Sequence, residues 1–188
     1  MYGMVNKAVR GFVLKNFNRA TWKRIHTSAG VDENFISMQA YDDTVTYNLV
    51  AAAHDELGLS PSDILQGFGK YWVTDIALEH YGEMMAKSGA GFVDFVKNLD
   101  HLHERIRVTF PDYRPPSFKI KVLDDAEIEL DYYSHREELL LDFVIGLLTG
   151  LAVYYGIEID IFHVPGEEHP MPCQRMRIRM STASEAIA

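Results

Sequence analysis

Arg114-Pro115-Pro116-Ser117-Phe118-Lys119-Ile120-Lys121-Val122-Leu123-Asp124-Asp125-Ala126-Glu127-Ile128-Glu129-Leu130-Asp131-Tyr132-Tyr133-Ser134-His135-Arg136 is the stretch where the hydrophobic period of this chain changes from helical to extended. Its two prolines stop any helix, because each fixes φ and removes a backbone donor. Beyond them Phe118, Ile120 and Val122 alternate with Lys119 and Lys121. Asp124-Asp125 then turns the chain into a second alternating run, Ile128 to Arg136. Strand side chains alternate faces, so Ile128, Leu130, Tyr132, Ser134 and Arg136 share one side. Glu129, Asp131, Tyr133 and His135 share the other, which reads as a solvated face.

Upstream the period is helical. Val5, Val9, Phe12 and Val13 mark a first helix, Trp22 and Ile25 a short second one. Val50, Ala53 and Leu57 mark a third, from Tyr47 to a stop at Gly58. Ser60-Pro61-Ser62-Asp63 is a helix start, with a capping hydroxyl, proline in the first turn and an early acid. The spacing of Ile64, Leu65, Phe68, Trp72 and Ile76 predicts that this helix runs to about Met85, where Ser88-Gly89-Ala90-Gly91 breaks it. A further helix is predicted over Phe92 to Val108. Downstream, a helix from Arg136 to Tyr155 precedes two more alternating runs, Ile157-Ile159-Ile161 and Met176-Ile178-Met180. The expectation is an α+β protein: a helical N-terminal part, to about residue 110, and a roughly four-stranded, mainly antiparallel sheet crossed by a helix. Residues 1–181 read as one domain and residues 182–188 as a disordered tail.

Composition narrows the function classes. The 188 residues carry 18 Lys and Arg against 27 Asp and Glu, a net charge of −9, which disfavours nucleic acid and anionic membranes as partners. Cys173 is alone, which leaves no internal disulfide, no four-cysteine zinc site and no Cys-x-x-Cys-His for covalent heme. No apolar run approaches the ~20 residues that span a bilayer. Asn6 and Lys7 fall where a signal peptide needs apolar residues, so the cytoplasm is expected.

Two constellations carry chemistry. In the helix from Phe92, the positions Phe92, Phe95, Val96, Leu99, Leu102 and Ile106 form one stripe, and His103 lies inside it. His101 falls instead among the polar positions. A histidine facing a core either has its nitrogens satisfied, for instance by a backbone carbonyl, or uses one as a ligand. Spacing alone leaves both readings open. The second constellation is the row Tyr132, Ser134, Arg136, three donors at two-residue steps that can grip a carboxylate. Its plain alternative is a polar strand end with Arg136 paired to an acid. Together, a core-facing histidine, a row of carboxylate donors and an aromatic, Met-rich core are what a b-type heme needs.

Several motifs then point the same way: Met1-Tyr2-Gly3-x-Val5-Asn6, Tyr41-Asp42-Asp43, Leu49-Val50-Ala51-Ala52-Ala53, Phe68-Gly69-Lys70, Asn98-Leu99-Asp100-x-Leu102-His103, Arg114-Pro115-Pro116-Ser117-Phe118 and Tyr132-x-Ser134-x-Arg136. Through them the chain resembles the H-NOX (heme nitric oxide/oxygen binding) family, related to the heme domain of soluble guanylate cyclase. The resemblance implies heme b (iron protoporphyrin IX) between the helical part and the sheet. It makes His103 the iron ligand, Tyr132, Ser134 and Arg136 the propionate anchors, and Pro116 the residue that presses on the heme. It also assigns the far, distal wall to Val5, Val9, Trp72 and Phe143. Phe143 falls where oxygen-binding members place a tyrosine, and it offers no hydrogen bond.

An apolar wall disfavours polarised bound oxygen more than nitric oxide, so the expected ligand is nitric oxide (NO), with carbon monoxide (CO) as a second. The implied signal is loss or weakening of the His103–iron bond, followed by movement of its helix, a two-state switch. It is expected to be read by a separate histidine kinase or cyclic-di-GMP enzyme. Trp72 brings an indole N–H to the distal side, which keeps an oxygen-binding or redox-sensing protein of the same fold as the alternative. Two rival constellations are weaker. His163, His169 and Cys173 supply too few ligands for zinc. Ser134, His135 and Asp131 do not build a nucleophile and base, because Ser134 and His135 point to opposite faces; no enzyme is expected.

Overall fold

Helix boundaries fall where the capping chemistry puts them in this computed structural model, which describes residues 1–134, 140–164 and 173–182. α1 (Gly3–Asn16) is followed by α2 (Arg19–Ser28), where the Asn18 side chain accepts the Thr21 N–H at 2.9 Å. Asp42 caps α3 (Asp43–Leu57) by accepting the Thr44 N–H at 2.9 Å, and Gly58 ends it in the left-handed region, φ 65°. Ser60 caps α4 (Pro61–Tyr71), accepting the Asp63 N–H at 3.0 Å.

Two predicted helices differ in detail. The one expected to run to Met85 contains a π-helical turn over Trp72–Ala77 before it resumes as α5 (Leu78–Ala86). In that turn the Thr74 hydroxyl donates to the Lys70 carbonyl at 3.0 Å, inside the backbone ladder. π turns recur at functional positions, and this one contains Trp72. The helix expected over Phe92 to Val108 is two helices, α6 (Phe92–Lys97) and α7 (Leu99–Thr109), broken at Asn98. The Asn98 side chain donates instead to the Ser88 carbonyl at 2.9 Å. The apolar stripe therefore divides: Phe92, Phe95 and Val96 are buried, whereas Leu99, Leu102 and Ile106 are only half-buried and α7 has no buried residue.

The sheet comprises β1 (Ser117–Val122), β2 (Glu127–Tyr133), β3 (Ile157–Val164) and β4 (Cys173–Thr182), in the order β1-β2-β4-β3 and antiparallel throughout. Its inner face is dry: Ile128, Leu130, Met176 and Ile178 are each 0% exposed. α8 (Leu140–Tyr155) packs on β3 and on α4. At the α4–α8 crossing Gly69 lies against the Phe143 and Leu147 backbone, and Gly146 against Gln66, where a Cβ would collide. Asp142 accepts from Ser62 at 2.7 Å and from Gln66 at 2.9 Å beside it.

The outer face of β2 is not simply solvated. Asp131, Glu129 and Glu127 pair with Arg175, Arg177 and Arg179 directly across the β2–β4 register. Tyr133 is buried on this face, with the Lys119 ammonium over its ring at 5.1 Å. The row of arginines at alternate positions of β4 facing a row of acids on β2 was the signal for this ladder.

Apolar side chains divide into two cores. One, between the sheet, α6 and α8, holds Phe92, Phe95, Leu130, Tyr132, Val144 and Met176. The other, among α1 to α4, holds Val9, Val13, Trp22, Leu49, Leu65 and Phe68. Trp72 packs against both.

Candidate heme site

His103 is half-buried on α7, whereas His101 is exposed. Two rings flank its imidazole, Tyr113 at 5.9 Å and Phe118 at 6.0 Å. Phe118 packs in turn on Tyr132, its partner in the β1–β2 register, at 5.6 Å. One aromatic ring thus separates His103 from the first member of the donor row. Asp100 fixes this arrangement from the first turn of α7. Its carboxylate accepts the Ser117 hydroxyl at 2.8 Å and the Phe118 N–H at 3.0 Å.

The electrostatics of His103 suit a ligand. Burial holds its pKa below the usual histidine value, and the pull of Asp100, the Pro116 backbone and Glu104 in the other direction is smaller. The imidazole is therefore neutral at pH 7, with a lone pair to offer. Its Nδ1 is buried and meets no hydrogen-bond partner. An unpaired buried nitrogen costs about 1–3 kcal/mol, so this side chain stands in an incomplete environment. Pro116 is half-buried at the head of β1, and its backbone carbonyl acts as an acceptor on the imidazole, while Nδ1 itself stays without a partner.

Tyr132 is buried on the inner face with Ile128 and Leu130, as the alternation predicts. Ser134 is half-buried one residue past the end of β2. Arg136 and His135 lie outside the described residues, as does His169.

The four distal candidates come together. Val9 belongs to the N-terminal core, and Val5, Trp72 and Phe143 pack against it. Phe143 stacks on Phe68 at 5.1 Å, and Phe68 meets Trp72 edge-on at 6.2 Å. Val5, Val9 and Phe143 present no side-chain donor. Of the four, Trp72 alone carries a side-chain donor, its indole N–H. A flat apolar group bearing a metal and carboxylates fits these residues: a neutral imidazole, donors on β2 and apolar walls.

Phe118 and Asp100 were missed by sequence reasoning. Phe118 was legible as the strand partner of Tyr132 once β1 and β2 were paired. Asp100, three residues before His103, stood inside one of the shared motifs but was given no role of its own. Among the described residues no group of three or more His, Cys, Asp or Glu side chains is placed to hold a metal ion. His163 faces Met176 across β3–β4, whereas Cys173 faces Tyr133 across β2–β4. Asp131 is held by Arg175 at 2.6 and 3.0 Å.

The model of the Haem-NO-binding family matches residues 2–163. The chain belongs to that family. Haem-NO-binding (H-NOX) domains are heme-binding gas sensors. This H-NOX chain is 31% identical over 163 residues to soluble guanylate cyclase gcy-33 of Caenorhabditis elegans, covering 86% of the chain and 17% of the cyclase. It is 26% identical over 164 residues to soluble guanylate cyclase 89Db of Drosophila melanogaster, covering 86% of the chain and 24% of that protein. The chain thus spans about a fifth of the length of these relatives, and matches their sensor domain rather than a catalytic one. Among solved structures, the S. oneidensis H-NOX protein in its Fe(II)NO state superposes with a TM-score of 0.83 at 18% identity, covering 97% of this chain and 100% of that one. A point mutant of the K. algicida H-NOX protein, in the unliganded Fe(II) state, gives 0.82 at 17% identity, covering 97% and 98%. These likenesses show the α+β fold expected from the sequence. No helix of the described residues is long and apolar enough to cross a membrane.

Proposed function

We propose that this chain senses nitric oxide through heme b, with His103 as the protein ligand to the iron. The observation that carries the proposal is the His103 imidazole: neutral, with Nδ1 buried and without a partner, and one ring from the donor strand. Tyr132, Ser134 and Arg136 would hold the propionates and Pro116 would press on the ring. Bound heme would supply an iron centre able to take a diatomic gas. The chain's own residues do the rest. Val5, Val9 and Phe143 keep the distal wall apolar, which favours NO and CO over polarised oxygen. Loss or weakening of the hold on His103 would leave α7 free to shift, because its apolar residues are only half-buried. The S. oneidensis relative, seen in an Fe(II)NO state, supports this choice of gas.

Output then passes to a separate protein, a histidine kinase or a cyclic-di-GMP enzyme, in the cytoplasm; the chain itself is proposed to have no enzymatic activity. The Trp72 indole N–H, a donor among the distal-wall candidates, favours a second reading, an oxygen-binding or redox-sensing protein of the same fold.

Absorption spectra decide between these readings. The ferrous protein is expected to bind NO and CO and to form no stable oxygen complex in air. His103→Gly is expected to lose the wild-type ferrous spectrum and to regain it with added imidazole. An unchanged spectrum in His103→Gly would sink the ligand assignment. A stable oxygen complex that disappears in Trp72→Phe would favour the second reading.

A further inference from the structure

Phe110 is buried yet belongs to neither hydrophobic core. It caps the C-terminal end of α7, its N–H bonded to the Ile106 carbonyl. The ring of Tyr2 packs edge-on against it at 4.8 Å. The Tyr2 hydroxyl also accepts the Asp112 N–H at 3.1 Å. Tyr2 itself is fastened to the N-terminal helical unit. It bridges Ala40, and on either side Gly3 donates to the Gln39 carbonyl at 2.8 Å and Tyr41 to the Met1 carbonyl at 2.7 Å. The next residues open α1, which carries Val5 and Val9.

α7 is lightly held along its length. It has no buried residue and packs on α6 and β1. Besides the rings on His103, it is held at its ends, through Asp100 at the start and Phe110 just past the last turn. We propose that Tyr2 is a positioning residue that couples the His103 helix to the distal wall. A shift of α7 carries Phe110 and Asp112 with it. Tyr2 transmits that shift to the start of α1, and so to Val5 and Val9. Coupling of this kind is reciprocal, so the same contact reports the state of the distal wall to His103. The proposal rests on His103 being the heme ligand.

Hydrogen exchange on the heme-loaded protein tests it. Wild type is compared with His103→Gly supplied with imidazole, in which α7 is detached from the heme while the heme stays. Detachment is expected to change exchange at residues 109–113 and in α1 together. In a Tyr2→Ala background the change at 109–113 persists and the change in α1 is lost. Tyr2→Phe keeps the ring and removes the acceptor: the Asp112 amide exchanges about fivefold faster, and the α1 response is partly retained. A full α1 response in folded, heme-loaded Tyr2→Ala overturns the coupling and leaves the ligand assignment standing. If Tyr2→Ala does not fold, Tyr2→Phe decides: unchanged Asp112 exchange with an unchanged α1 response overturns it. A His103→Gly protein with the wild-type heme spectrum overturns the ligand assignment and the coupling with it.

Discussion

His103 and His101 are two residues apart and have opposite surroundings, and the helical period separates them. One is half-buried between Tyr113 and Phe118; the other is exposed. The period said that His103 faces inward, but not what it meets there, because its neighbours come from the β1 end of the chain. Phe118 is the side chain that makes the site one unit, since it touches both His103 and Tyr132. Phe118→Ala should therefore do two things. It should cost about 2 kcal/mol of stability, less than a fully buried phenylalanine because Phe118 is half-buried. It should also loosen heme retention, because His103 and Tyr132 lose the ring between them. Denaturant unfolding and heme transfer to an apo-globin would measure the two. Loss of stability with heme transfer at the wild-type rate would mean that the ring does not position the ligand.

At the scale of elements, the helical period and the strand period placed the helical and extended segments of the described residues, because burial on one face is what sets them. The break at Asn98 was invisible because the apolar stripe runs through it unchanged. The π turn was invisible because it arises where α8 lies against Lys70 and Val73 at Gly150. The β2–β4 ladder needed the pairing of two distant strands. That ladder makes a pH prediction. Arg175 holds the Asp131 carboxyl below its ordinary range, so Asp131 binds fewer protons folded than unfolded. Its contribution is present above the unfolded value of about 3.9 and is lost as pH falls through the lower folded value. Arg175→Gln should lose about 1 kcal/mol at pH 7, and its acid-unfolding midpoint should move to higher pH. An unmoved midpoint would mean that the pair contributes nothing. Gly146→Ala, at the α4–α8 crossing, should cost about 1–3 kcal/mol, because the new methyl meets the rigid Gln66 backbone. Thermal unfolding of this variant measures that cost, and a wild-type melting temperature would mean that the crossing can open to admit a methyl.

The described residues form two cores joined by the α4–α8 crossing and by Trp72, and the Tyr2 contact ties the end of α7 to the start of α1. His103 belongs to neither core, and its Nδ1 is unpaired. A group bound at His103, at the β2 donors and at the Val5, Val9 and Phe143 wall would touch both halves at once. Binding to the folded state alone stabilises by RT ln(1 + [L]/Kd), about 4 kcal/mol when the free ligand is a thousandfold above Kd. Heme loading should therefore raise the unfolding temperature and merge the melting of the two halves into one transition. His103→Gly should lose part of that rise while its apo-protein melts close to the wild-type apo-protein, because His103 lies outside both cores. Calorimetry on the apo and loaded forms of both proteins separates the two effects. An equal rise in the mutant would place the binding energy on the walls and donors, and a rise in neither would exclude a site that spans the two halves.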